Sequence, residues 1–233
     1  MIQDIDSCGG FNTRRPRQYS ASGLLIFSVE GDTEKWYFEW LQKTINSDQD
    51  TKYTIKLNVK KEKNPISMVK SLSILHETEI THVFDRESEE EKHIQQFRNT
   101  LDAMKGAEEK GKAIKYQLGY TNFTFELWII LHKADCNGQQ DHRGQYLKII
   151  NKVYNEKFKD FDDYKQEKHF KRLLDQLTID DVKEAIEKAK LIMKNNKKNG
   201  YKLQEYNGYT FYKENPSLSL WESVDTILKE CEI

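Results

Sequence analysis

Cysteine, proline and long apolar runs are all scarce in this chain of 233 residues. Cys8, Cys136 and Cys231 are odd in number and widely spaced, and none forms a CxxC pair, which argues against a disulfide framework and fits a reducing setting. The longest apolar stretches, such as Leu24 to Val29 and Leu127 to Leu131, fall far short of the ~20 residues that a membrane-spanning helix needs. No apolar core of a secretory leader appears within the first thirty residues, so the expected location is cytoplasmic. Net charge is nearly absent too, since 37 Lys and Arg face 38 Asp and Glu. The total therefore points to no anionic partner, and only the distribution of charge along the chain can do so.

What is abundant is charge itself, at 32% of residues, with aromatic side chains at 12% to fill a core. Residues 1–22 carry Gly9, Gly10 and Pro16 beside Arg14, Arg15 and Arg17, without periodicity, and are expected to form a flexible basic arm. Residues 23–120 alternate strand and helix signals. Leu24 to Glu30 reads as a buried strand, Asp32 as the cap of a helix running to Asn46, and Tyr53 to Val59 as a strand near a sheet edge. Pro65 opens a helix with Met68, Val69, Leu72 and Leu75 on one face; Ile80 to Asp85, Glu89 to Lys110 and Ala113 to Leu118 follow as strand, helix and strand. This order predicts an α/β fold, a mostly parallel sheet flanked by helices.

Residues 121–233 are expected to form a mainly helical part packed on that sheet, with helices over Phe123 to His132, Gly144 to Asn155, Thr178 to Asn195 and Leu218 to Glu230. Thr178 with Asp181, and Ser219 with Glu222, have capping-box spacing. Aromatic residues alternating around Asn207-Gly208 predict a hairpin.

Ligands of parallel α/β sheets bind at the carboxyl ends of the strands, where the strand order reverses. Two of the expected strands end in acids: Glu30 closes the first, and Asp85 closes the third, with Arg86 and Glu87 after it. Were these strands neighbours, Glu30, Asp85 and Glu87 would share one rim and supply the oxygen ligands that Mg²⁺ or Mn²⁺ prefers. Acids in this position also serve as helix caps, and Glu89 to Glu91 suit a solvated first turn. Glu34 is a weaker candidate for the same rim. Lys60, Lys61 and Lys63 follow the second strand and can accompany a phosphate backbone there.

Four segments in order carry a resemblance: Val29-Glu30-Gly31-Asp32-Thr33-Glu34-Lys35 with Tyr37-Phe38; Val83-Phe84-Asp85-Arg86-Glu87; Asn122 with Phe125-Glu126-Leu127-Trp128 and Leu131-His132; and Asn215-Pro216-Ser217. Together they resemble the RloB-like family of the wider topoisomerase/primase (TOPRIM) group. The resemblance implies a TOPRIM-like fold, a role in bacterial anti-phage defence and abortive infection beside an ATPase partner, and Mg²⁺-dependent nuclease chemistry. In that chemistry Asp85 and Glu87 hold the metal, Glu30 ligates or moves protons, and Glu126 joins the catalytic set. Lys35 and Arg86, inside the motifs, join the lysines as nucleic-acid contacts. Glu87 stands where the family has a second aspartate, Phe123 and Thr124 where it has proline and cysteine, and Trp221 where histidine is common.

Glu126, set among apolar residues, needs a partner or an elevated pKa, so it is either a structural hydrogen-bonder or part of the site. His132 reads as a helix-end histidine. The polar cluster of His132, Asp135, Cys136, Asp141 and His142 has none of the usual zinc spacings. A different class of function, a non-catalytic sensor or interaction subunit of an ATPase complex, accounts for the same acids as a metal- or nucleotide-binding rim.

Overall fold

The computed structural model describes residues 18–48, 51–110, 113–136, 138 and 142–233; Arg14, Arg15, Arg17 and Asp141 lie outside this range. Four strands, β1 (Gln18–Val29), β2 (Tyr53–Lys61), β3 (Thr78–Arg86) and β4 (Ile114–Asn122), form one all-parallel sheet in the order β2-β1-β3-β4. The first crossover runs outward from β1 to β2. The second passes back over β1, so the strand order reverses between β1 and β3. Residues 18–22, expected in the basic arm, belong to β1, and Gln18 and Tyr19 pair with Tyr53 and Thr54 at the start of β2. β4 runs four residues beyond its expected end and carries Asn122 at its tip.

Both faces of the sheet are covered, as apolar runs without polar alternation require. On one face Ile26, Ile80, Phe84, Tyr116 and Tyr120 pack under α2 (Pro65–Lys70), α3 (Glu91–Glu108) and a hairpin of β5 (Gln204–Tyr206) and β6 (Tyr209–Phe211). The hairpin turns at Asn207 and Gly208, with φ of 54° and 85°, the left-handed pair that an Asn-Gly turn supplies. On the other face Phe27, Val29, Ile55, Leu57 and Val83 pack under α1 (Asp32–Ser47) and helices of the C-terminal half: α4 (Glu126–Leu131), α5 (Gly144–Val153), α7 (Glu167–Leu174), α8 (Ile179–Lys198) and α9 (Leu220–Glu230). The short α6 (Phe161–Tyr164) and α7 fall in a stretch to which the sequence pattern assigned no element. No described helix is long and apolar enough to cross a membrane.

Local chemistry differs from expectation at three places. Gly31, not Asp32, is the N-cap of α1; Asp32 lies in the first turn and ion-pairs with Lys61 at 2.6 Å. α2 stops at Lys70, bounded by the cap of Asn64, whose side chain accepts from Ile66 N and Ser67 N, and Leu75 is left 91% exposed. Thr178 and Asp181 form the expected capping box, but Ser219 gives its hydroxyl to Leu118 O on β4 and accepts from Tyr120 N, so it fastens the start of α9 to the sheet.

Candidate functional site

The carboxyl ends of β1 and β3 are adjacent, in register from Ile26 with Ile80 to Val29 with Val83. This is the place where the strand order reverses, and a cavity of about 290 Å³ opens there, lined by Glu30, Glu34, Lys61, Lys63, Asp85, Glu87, Arg143 and Lys165 among others. A second cavity, of about 320 Å³, shares Glu30, Lys63, Asp85 and Glu87 and extends toward His93 on α3. The acids thus form the ridge between two openings.

Strand pleat decides which residues reach which side. Val83 faces the α1 side, so Asp85, two residues on, faces it as well, while Phe84 and Arg86 face the opposite side. Asp85 Oδ1 accepts from Thr121 Oγ1 at 2.8 Å, on the neighbouring strand. Its pKa is raised well above the ordinary carboxylate value, first by burial, then by the charges of Glu34 and Glu126. Glu34 is buried in the first turn of α1 and accepts from Thr33 Oγ1 at 2.8 Å; burial raises its pKa, the Thr33 hydroxyl opposes this, and Glu126 adds to it. Glu126, at the start of α4, is 1% exposed. One oxygen accepts from Thr124 Oγ1 and stands 3.5 Å from the Arg143 guanidinium, and the other has no partner.

Glu34 and Glu126, both buried, thus come from two further elements near enough for their charges to raise the pKa of the half-buried Asp85. Glu30, half-buried on the ridge, has its pKa raised by burial, with Lys63 opposing and Glu34 and Glu87 adding. Glu87 is exposed and pairs with His93 Nε2 at 3.1 Å; Ser88 Oγ and His93 Nδ1 are 2.7 Å apart. Sequence reasoning grouped Asp85 with Glu30 and Glu87. The structure brings all three to one ridge, but the groups that press most on Asp85 are Glu34 and Glu126.

The bases divide. Lys61 and Lys63 line the cavity, whereas Lys60 turns to Ser71 Oγ at 3.2 Å and Lys35 pairs with Glu39 along α1 at 3.7 Å. Arg86 is buried on the far side of the sheet, where it donates to Asn122 Oδ1 and Lys213 O and pairs with Glu89 at 2.6 Å, so its geometry is that of a structural clamp. Arg143 and Lys165, from the helical part, were not anticipated; no periodicity or motif marks them. His132 is the helix-end histidine expected, at the C-cap of α4. It is fully buried, with Nδ1 2.9 Å from Trp128 O and Nε2 3.1 Å from Tyr37 Oη, so the hydroxyl of Tyr37 donates to Nε2 while Nδ1–H serves the carbonyl. Trp221 is half-buried beneath Lys190, whose ammonium stands 5.6 Å from the ring.

The donors that line the cavity, Glu30, Glu34, Asp85 and Glu87, are oxygen ligands of the type a hard divalent cation takes. No three His, Cys, Asp or Glu among the described residues gather around a single point. The fit is one of donor type and burial.

Fold and site together define an α/β protein with an acidic pocket at the switch point of a parallel sheet. The chain belongs to the RloB-like protein family, whose model matches residues 24–227. No curated protein and no solved structure matches it.

Proposed function

We propose that this protein hydrolyses phosphodiester bonds of nucleic acid with the help of Mg²⁺ or Mn²⁺, as the TOPRIM-like reading of its sheet implies. The observation that carries the proposal is the cavity at the switch point of the sheet, where Glu30, Glu34, Asp85 and Glu87 line one opening with Lys61 and Lys63. Like charges are not otherwise packed together, because each raises the energy of ionising the others. A cation bound among them would relieve that cost.

Asp85 would hold the metal, with Glu30, Glu34 and Glu87 lining the same cavity. When bound, the metal activates water and neutralises charge that develops on a phosphate. The remaining work falls to the chain. Lys61 and Lys63 neutralise the substrate backbone, and Glu30, with its raised pKa, holds or passes a proton at the rim. The family resemblance supports a place in anti-phage defence with an ATPase partner.

The test is incubation of the protein, alone and with its ATPase partner, with single- and double-stranded DNA and RNA in the presence of Mg²⁺, Mn²⁺ or chelator. Cleavage that needs metal and is lost in Glu30→Gln and Asp85→Asn supports the reading. Persistent silence in every condition favours the second reading, a non-catalytic sensor subunit. The absence of three carboxylates gathered on one point among the described residues is the observation on that side.

A further inference from the structure

The helical half carries a basic face that the acidic rim does not explain. Residues 143–172 hold nine Lys or Arg against five Asp or Glu, in a chain whose formal net charge is −1. Five of these bases gather around one cluster of side chains. Asn151 on α5 exchanges hydrogen bonds with the backbone of Phe158, donating to its carbonyl and accepting from its N–H, both at 2.9 Å; the Phe158 ring is centred 5.6 Å from that of Tyr164 and 5.8 Å from that of His169. Lys152 follows Asn151, Lys157 and Lys159 flank Phe158, Lys165 follows Tyr164, and Lys168 precedes His169. All five are exposed, and none makes an ion pair or a side-chain hydrogen bond among the described residues. The acids of the same stretch are engaged elsewhere: Asp160 accepts from Asp163 N at the start of α6, Asp163 pairs with His169, Glu156 with Arg172 and Glu167 with Lys171, which leaves Asp162. A solvated helix face looks different. On α8, Lys183, Lys188 and Lys190 each pair with an acid one turn away, Asp180, Glu184 and Glu187. Gathered like charges repel, and an anionic chain laid across them removes that repulsion.

We propose that Lys152, Lys157, Lys159, Lys165 and Lys168 form a nucleic-acid-binding surface that leads a phosphate backbone over α6 and α7 to the cavity at the switch point of the sheet. Lys165 joins the two, since it lines that cavity together with Lys61, Lys63 and Asp85. The rings beneath the lysines, Phe158 and Tyr164, are buried, so the surface offers charge rather than a stacking platform, and it reads phosphates and not bases. Binding is therefore insensitive to sequence and falls steeply with salt, because each neutralised phosphate releases counterions. The proposal rests on the hydrolase reading for the class of polyanion, a nucleic acid. It needs no metal, because the work of this surface is done by ammonium groups alone.

The experiment measures, by fluorescence anisotropy in chelator, the binding of labelled single- and double-stranded DNA and RNA of mixed sequence to the full chain, from about 50 to 200 mM salt. One variant combines Lys157→Gln, Lys159→Gln, Lys165→Gln and Lys168→Gln. A control removes the same charge from surface ion pairs elsewhere, through Lys105→Gln, Lys183→Gln, Lys188→Gln and Lys229→Gln. On the strands that wild type binds, the first variant is expected to bind at least about tenfold more weakly, with a slope of log affinity against log salt lower by about 3, and the control to stay within about twofold. Equal weakening of the two variants overturns the proposal, because net charge alone then accounts for binding. Wild type that binds none of the nucleic acids overturns it too, as does wild type that binds poly-glutamate as tightly as nucleic acid, which makes the partner an acidic protein. Strands that bind in chelator yet remain whole with Mg²⁺ or Mn²⁺ count against the nuclease reading and leave the surface standing.

Discussion

Asp85 and Thr121 face each other across β3 and β4, and the Thr121 hydroxyl donates to Asp85 Oδ1 at 2.8 Å. That bond is the nearest group on the sheet that favours the charged form of an acid otherwise pushed toward protonation by burial, Glu34 and Glu126. Thr121→Val keeps the shape and removes the hydroxyl, so the pKa of Asp85 rises further and the pH above which Mg²⁺ raises the melting temperature moves upward. Thr121→Ser leaves that pH where it is. Asp85→Asn removes the buried charge altogether. We expect it to stabilise the metal-free protein by roughly 0.5–2 kcal/mol and to abolish stabilisation by Mg²⁺, as replacements of strained site residues commonly do. Thermal melts across pH, with and without Mg²⁺, check all three variants.

Buried histidines give the acid side of stability a definite sign. Ser28 Oγ and His82 Nδ1 lie 2.6 Å apart between β1 and β3, and burial pushes the pKa of His82 down to about 3. His132 is pushed down to about 4 for the same reason. Both folded values lie below the ordinary 6.5, so the unfolded chain takes up protons first as pH falls. Their contribution is complete above pH 6.5 and is lost progressively below it, at up to about 1.4 kcal/mol per pH unit for each group. The raised acids act in the opposite direction, since ionising Glu30, Glu34 and Asp85 costs the folded state stability as pH rises through their range. The double variant Ser28→Ala/His82→Leu removes both polar partners and is expected to flatten the acid limb of a urea-denaturation profile. An unchanged limb would show that His82 does not titrate with unfolding.

How much of this was legible beforehand follows from where the information resides. The four strands were visible because each is an apolar or alternating run bounded by turn residues, whereas the adjacency of β1 and β3 stayed open, since alternating strands and helices give a parallel sheet without its strand order. Glu30 and Asp85 were found because they end strands. Glu34 was a weaker candidate, since its side chain reaches the site only by folding back over Gly31. Arg143 and Lys165 were invisible because their position depends on how α5 and α6 pack against a sheet more than twenty residues away in sequence. Arg86 misled for a simpler reason, because the pleat that turns Asp85 toward α1 turns its neighbour away. The helices α6 and α7 escaped notice because they are short and set among charged residues, with Tyr164, Phe170, Leu173 and Leu174 as their buried side chains.

Asn122 shows what one motif position does physically. Its Nδ2 lies within 3.2 Å of the carbonyls of Tyr212, Lys213 and Glu214 and of Ser217 Oγ, and its Oδ1 accepts from Arg86. The residue thus ties the tip of β4 to the loop that leads into α9 and satisfies a guanidinium that is 4% exposed. Asn122→Ala breaks the whole set and leaves a buried charge short of a partner, for an expected loss of about 2–4 kcal/mol in urea denaturation. Asn122→Asp should recover part of it through the Arg86 contact. A loss below about 0.5 kcal/mol, the usual range for surface substitutions, would mean the network is dispensable.

Gly31 offers the cleanest separation of fold from site. Its φ of −122° and ψ of 168° are open to any residue, so backbone freedom is not what requires glycine here. The constraint is space: a Cβ at Gly31 would overlap Glu34 Oε2, whose carboxyl lies folded over the glycine. In Gly31→Ala the end of a flexible side chain must move and the backbone need not, so the protein should melt within a few degrees of wild type, as a change of about 1 kcal/mol allows. Glu34, displaced from the cavity it lines with Asp85, no longer presses on Asp85. The expected result is a lower pKa for Asp85, read from carboxyl carbon chemical shifts against pH, together with weaker Mn²⁺ binding. Gly31→Ala combined with Glu34→Gln should then resemble Glu34→Gln alone, because both substitutions act through the same carboxylate. Additive losses in the double variant would instead mean that Gly31 serves the site by a route other than Glu34.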